Sequence, residues 1–127
     1  MYNKKIIETL ANPKNVGDMP DADAVGTVGN ASCGDIMQIF LKIENDVIVD
    51  ARFKTFGCGA AIASSSVATE LIKGKTLDEA LKVTNADVVE ILEGLPPQKI
   101  HCSVLAEEAI AEAIKDYRAK QKEQKSE

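Results

Sequence analysis

The chain has 127 residues, 45% of them hydrophobic, and a formal net charge of −5, which is enough for one compact core and too little to favour two, so residues 1–127 read as a single domain. Lys and Arg are interleaved with acids except in the C-terminal tail, which argues against nucleic-acid binding. Residues 1–8 hold no apolar signal segment and no run of about 18 apolar residues occurs anywhere, so a soluble, cytoplasmic protein with no membrane association is expected.

In chain order, residues 3–11 form a short helix with Ile6, Ile7 and Leu10 on one side, ended by Asn12-Pro13. Residues 15–23, with Gly17, Pro20 and several Asp, read as a loop. Residues 24–28 read as a strand that Gly26 and Gly29 weaken.

The clearest pattern is a hairpin over residues 35–56. Met37, Ile39, Leu41 and Ile43 alternate with Ile36, Gln38, Phe40 and Lys42. In the second half Val47, Val49, Ala51 and Phe53 alternate with Ile48, Asp50, Arg52 and Lys54. Opposed residues of an antiparallel pair point the same way, so the two odd-numbered apolar sets should pair. A two-residue Asn45-Asp46 turn breaks that parity, whereas a three-residue Glu44-Asn45-Asp46 loop keeps it. The resulting register pairs Leu41 with Val49, Ile39 with Ala51, Met37 with Phe53 and Gln38 with Arg52. Continued outward it sets Asp35 against Thr55 and Cys33 against Gly57, next to Cys58.

Residues 59–73 read as a helix stopped by Gly74, with small side chains in its first half that permit close packing on a sheet. Thr76-Leu77-Asp78-Glu79 fits a capping box for a helix to about Val83. Asn85 is the expected cap of another, which ends at Gly94. A last helix spans about residues 103–120, and residues 120–127 form a charged tail expected to fray.

Chemistry concentrates in three places. Three cysteines are an odd number for a disulfide framework in an intracellular chain. Cys33 is followed by Gly34 and Cys58 lies between Gly57 and Gly59, and glycine lets a backbone approach a bulky ligand. Cys102 stands beside His101, the sole histidine, just after Leu95-Pro96-Pro97-Gln98-Lys99 and at or just before a helix N-terminus that favours thiolate over thiol. Singly, each cysteine reads as a buried hydrophobe; jointly they read as a metal site. Cys3His suits tetrahedral zinc as well as an iron–sulfur cluster, but a site drawn from three separate segments is unlike the local Cys-x-x-Cys knuckle of structural zinc. Asp35, two residues after Cys33, is either a turn acid or a competing, labilising ligand. Lys99 is either a solvated charge or a group that lowers thiol pKa. Leu95 to Lys99 is either a plain linker or an extended peptide docked by a partner. Cys–His nucleophilic catalysis is the least favoured reading, because sequence neighbours rarely achieve base-to-nucleophile geometry.

The motifs Asn15-Val16-Gly17, Ala31-Ser32-Cys33-Gly34-Asp35, the run from Ala51 to Gly59, Ala61-Ile62-Ala63-Ser64-Ser65-Ser66 and the run from Leu95 to Ser103 together resemble the IscU family of iron–sulfur cluster assembly scaffolds, also found as the N-terminal domain of NifU. The resemblance implies an α+β fold, a three-stranded antiparallel sheet with helices packed on one face. It implies that Cys33, Cys58 and Cys102 receive sulfur and hold a nascent 2Fe-2S cluster, with His101 as fourth-ligand candidate and Asp35 tuning lability; zinc could occupy the isolated protein. It implies no enzyme activity. Implied partners are a cysteine desulfurase, an iron donor or ferredoxin, apo-protein clients, and an Hsp70-type chaperone with its J-protein that reads Leu95, Pro96, Pro97, Gln98 and Lys99. Gln98 stands where the family usually has valine. The related SufU branch carries an insertion between its second and third cysteines and lacks the His-Cys pair, so His101 aligns this chain with IscU.

Overall fold

The computed structural model describes residues 3–30, 35–56, 59–95, 97 and 100–125. In chain order they form α1 (Lys4–Ala11), β1 (Ala24–Asn30), β2 (Asp35–Glu44), β3 (Val47–Phe56), α2 (Gly59–Ile72), α3 (Leu77–Leu81), α4 (Asn85–Ile91) and α5 (Ile100–Lys125). The strands make one antiparallel sheet in the order β1-β2-β3. The expected α+β architecture holds: α5 lies over β1 and β2 and α2 over β3. They bury Met37, Ile39, Leu41, Ala51 and Phe53 against Ala60, Ala63, Ala106, Ala109 and Ile110. Each large aliphatic or aromatic side chain buried this way contributes about 1.5–3 kcal/mol relative to exposure.

The hairpin departs from the expected register. Its connection is the two-residue turn Asn45-Asp46, both in the left-handed region (φ 53° and 61°), where Asn and Asp pay the least of any non-glycine residues. Glu44 pairs with Val47 and Ile43 with Ile48; the register then shifts, leaving Val49 unpaired, and Lys42 meets Asp50. This bulge restores the odd-with-odd parity on which the two-residue turn had seemed excluded. Beyond it Leu41 pairs with Ala51, Ile39 with Phe53, Gln38 with Lys54 and Met37 with Thr55, two residues from the expected partners. The bulge also reverses the faces at the turn end. Ile48 is fully buried and Val49 is 47% exposed, because the Ile48 N–H donates to Lys75 O (2.9 Å) and the Gly74 N–H to Ile48 O (2.7 Å), seating the α2–α3 connection on the free edge of β3.

A second segment closes that edge farther along. Phe53 N–H donates to Asn15 O (2.8 Å) and Gly17 N–H to Phe53 O (2.9 Å). Asn15 holds a positive φ of 68°, sustained by its side chain, which donates to Thr69 Oγ1 at 3.0 Å and accepts from the Lys73 ammonium.

Strand β1 runs two residues past its expected end. Gly26 is no weakness there: a Cβ at this position would lie 2.2 Å from Ala109 O and 2.4 Å from Ala113 N, so its missing side chain is what admits the α5 backbone. The capping box of α3 is present, with Thr76 accepting from Glu79 N–H and Glu79 from Thr76 N–H, although the helix stops at Leu81. The cap of α4 is Thr84 rather than Asn85, since the Thr84 hydroxyl accepts from Asp87 N–H and Asp87 answers on the Thr84 N–H. The largest difference is α5, which starts at Ile100 and continues to Lys125. Lys, Gln and Glu are strong helix formers, and the Asp116–Lys120 pair at 3.0 Å adds i,i+4 support, so the helix runs past its expected end near residue 120 to Lys125.

Candidate functional site

The early start of α5 makes His101 and Cys102 the second and third residues of the helix, inside its first turn rather than ahead of it. There the amide groups lack intrahelical partners and the helix dipole is positive, a setting that favours an anionic ligand. Cys102 is fully buried and packs in the hydrophobic core, while His101 is half-buried. The Cys102 Sγ lies 3.5 Å from His101 Nε2. Two adjacent side chains thus do reach hydrogen-bonding range, contrary to the expectation drawn from their adjacency. The sulfur belongs to a fully buried residue. Next to it Ser103, also buried, donates its hydroxyl to Ile100 O at 2.6 Å and tightens the first turn.

The direction of α5 sets where this turn points. Asp116 reaches the N–H of Val25 (3.1 Å), and Gly26 sits against Ala109 and Ala113, so α5 runs antiparallel to β1. From the level of Gly26, ten helical residues back to His101 cover about 15 Å, and four strand residues on to Asn30 about 13 Å. The first turn of α5 therefore lies near the Asn30 end of the sheet, where Asn30 pairs with Asp35 and Ile36 with Phe56. Strand β2 begins there at Asp35, two residues after Cys33 in sequence, and α2 begins at Gly59, directly after Cys58. Three elements that adjoin the three cysteines in sequence start at one end of the molecule.

Cys33 and Cys58 themselves lie outside the described residues, as do Gly57, Pro96, Gln98 and Lys99; the expected Cys33–Gly57 pairing falls there too. Asp35 is described through its backbone, as the first residue of β2 and the partner of Asn30 on β1; Thr55, its expected partner on β3, pairs with Met37 instead. Among the described residues no three His, Cys, Asp or Glu side chains converge on a metal position. Leu95 is half-buried and packs on the core, and Pro97 is exposed.

Three supports of the site escaped sequence reasoning. The Asn3 side chain caps α1 by accepting from Ile6 N–H, and its amide nitrogen lies 3.0, 3.1 and 3.2 Å from the carbonyl oxygens of Leu92, Glu93 and Gly94. The N-terminal helix is thereby clamped to the turn that leads into Leu95–Cys102. The Asn85 N–H donates to Glu107 Oε2 (3.2 Å), tying α4 to α5. At the sheet end Phe56 is 74% exposed opposite Ile36, which is 50% exposed. Asn3 as a helix-capping residue type was the one legible signal; the other two depend on which elements meet.

The sequence of residues 1–124 matches the family model described as the NifU-like N terminal domain. The chain belongs to that family. Within it, the chain is 56% identical over 117 residues, 92% of its length and 76% of the relative's, to "Iron-sulfur cluster assembly scaffold protein IscU 1" of Archaeoglobus fulgidus. It is 53% identical over 123 residues, 94% of its length and 95% of the relative's, to "Iron-sulfur cluster assembly scaffold protein IscU" of Escherichia coli. Among solved structures, a nitrogen-fixing NifU-like protein (N-terminal) from Brucella abortus superposes with a TM-score of 0.78 at 26% identity, covering 93% of this chain and 94% of that one. The family fold and the sheet-and-helix arrangement described above coincide.

Proposed function

We propose that this chain is a scaffold on which an iron–sulfur cluster, of the 2Fe-2S type, is assembled and from which it is handed to apo-proteins. The cluster is cargo, so lability is part of the task. The observation that carries the reading is the common end of the molecule at which β2, α2 and α5 begin, with buried Cys102 beside His101 in the first turn of α5. Cys33, Cys58 and Cys102 serve as thiolate ligands, His101 as the fourth, and Asp35 competes for an iron position and loosens the assembly. Iron–sulfur cargo fits this donor set: soft thiolates and one imidazole beside a helix N-terminus that tolerates the negative charge of a thiolate-ligated cluster.

Sulfur delivered as persulfide is at the sulfane level and gains two electrons on becoming bridging sulfide. A cysteine desulfurase as sulfur source and a ferredoxin-like electron donor therefore belong to one partner set with an iron donor. Leu95 to Lys99, directly ahead of the His-Cys pair, is the segment an Hsp70-type chaperone and its J-protein would hold, with Gln98 altering the usual peptide. The chain binds and passes on its cargo rather than turning over a substrate. A resting Cys3His zinc site is the less favoured reading, given relatives named as cluster scaffolds.

Anaerobic reconstitution with ferrous iron and sulfide, read by absorption and Mössbauer spectra with iron and zinc analysis, tests the proposal. Cys33→Ser, Cys58→Ser and Cys102→Ser should each lose the stable cluster, and Asp35→Ala should slow its transfer to an apo-ferredoxin. Unchanged assembly in all three cysteine variants would sink the scaffold reading. Unfolding on removal of zinc would favour the structural site instead.

A further inference from the structure

The two edges of the sheet are treated differently. The free edge of β3 is closed by residues 15–17 and by the α2–α3 connection. On β1, the Val25 N–H points away from β2 and meets Asp116. Outward-pointing groups alternate along an antiparallel edge, so the N–H and C=O of Thr27 and Gly29 face outward as well. Both residues are exposed, and no hydrogen bond closes these outward groups among the described residues. An open edge of this kind is a template for a further strand.

A charged rail runs beside it. Four residues of α-helix turn through about 400°, so Glu112 and Glu108 follow Asp116 at steps of about 6 Å, displaced round α5 from it by about 40° and 80°. The outward groups of Val25, Thr27 and Gly29 step by about 6.8 Å in the opposite chain direction. With Asp116 at Val25, Glu112 falls beside Thr27 and Glu108 beside Gly29. Asp116 is already compensated by Lys120 at 3.0 Å. Glu108 and Glu112 are exposed and have no ion pair among the described residues.

We propose that the β1 edge is a docking rail for an extended segment of a partner protein, added as a fourth strand, with Lys or Arg at alternate positions placed against Glu108 and Glu112. Main-chain hydrogen bonds to Thr27 and Gly29 supply the affinity and the acids select a basic segment. A second copy of this chain is disfavoured, because pairing β1 with its symmetry mate brings two acidic rails together.

The test is a titration of the full-length chain with an end-capped ten-residue peptide alternating lysine with threonine. The comparator is the same peptide with glutamate for lysine. Backbone amide shifts and hydrogen exchange are read at Thr27 and Gly29. The lysine peptide should bind, slow exchange at both amides and weaken as salt rises; the glutamate peptide should bind at least about tenfold more weakly. Thr27→Pro removes an outward N–H without touching the ladder, a change edge strands tolerate, and should weaken binding by about tenfold or more. The double variant Glu108→Lys with Glu112→Lys leaves the strand intact, covers the case of a misfolded proline variant, and should invert the preference between peptides. No binding, binding without protection at Thr27 and Gly29, or equal binding of both peptides would overturn the proposal. So would a peptide-independent dimer abolished by Thr27→Pro.

Discussion

Gly26→Ala puts the packing of α5 on the sheet to a quantitative test. The new Cβ would meet Ala109 O at 2.2 Å where ordinary contact begins at 3.4 Å, so α5 must retreat by about 1.2 Å (3.4 − 2.2) at its closest approach. Both blocking atoms are backbone, and no rotamer change relieves them. Overpacking of a well-filled core costs about 1–3 kcal/mol, with rigid contacts at the upper end. A loss of about 3 kcal/mol is therefore expected. With an unfolding entropy of about 2.1 cal/mol/K per residue, 127 residues give about 0.27 kcal/mol/K, so Tm should fall by about 11 °C. Thr27→Ala, one residue away and exposed, should cost less than about 1 kcal/mol. Urea and thermal unfolding followed by circular dichroism measure both. Because α5 carries Cys102, mass-mapped alkylation of that thiol should also quicken in Gly26→Ala and not in Thr27→Ala. A Gly26→Ala protein within 1 kcal/mol of the parent would refute the close approach of α5 to β1.

Asn3→Ala removes the α1 cap and the clamp on residues 92–94; a loss of about 1–2 kcal/mol and faster amide exchange in the turn before Leu95 are expected, and unchanged exchange there would count against the clamp. Ser64 and Ser65 bury hydroxyl oxygens that have no hydrogen-bond partner among the described residues, so Ser65→Ala should raise stability by about 1 kcal/mol in urea titrations; a loss of that size would mean the hydroxyl is satisfied. For Asp116, burial pushes the carboxyl pKa up, but hydrogen bonds from Lys120 and the Val25 N–H together with the Lys120 charge outweigh it and hold the pKa below the ordinary aspartate value. A depressed folded-state pKa stabilises the native state above the unfolded value and loses that contribution as pH falls through the folded value. Asp116→Asn should therefore lose less stability than the parent between pH 6 and pH about 3, and an identical acid limb in both proteins would contradict the assignment.

Much of the fold was legible because its signals are local. The capping box at Thr76, the stop at Gly74 and the alternation in β2 need only neighbouring residues to be expressed. Where reading failed, a distant partner had decided. The Asn45-Asp46 turn was excluded on parity because a bulge at Val49 leaves no mark in the alternation; Ile48 turns inward to pair with Lys75 and Gly74, contacts no local pattern encodes. Thr84 displaced Asn85 as cap because both residue types suit the role and the fold uses the Asn85 N–H to meet Glu107. Gly26 looked like a flaw in a strand until α5 was laid across it.

The sequence by itself supplied the candidate donor set, three cysteines and one histidine beside the last of them, and motifs specific enough to name the family. Donor identity is a property of residue type, and spacing into three segments already separated this pattern from a local zinc knuckle. Only the tertiary structure decided that α5 starts at Ile100, that its direction against β1 carries His101 and Cys102 toward the end where β2 and α2 begin, and that, among the described residues, one sheet edge is sealed while the other stays open. Helix direction, strand register and edge closure follow from which surfaces fit one another, and that complementarity is fixed by packing between residues far apart in the chain.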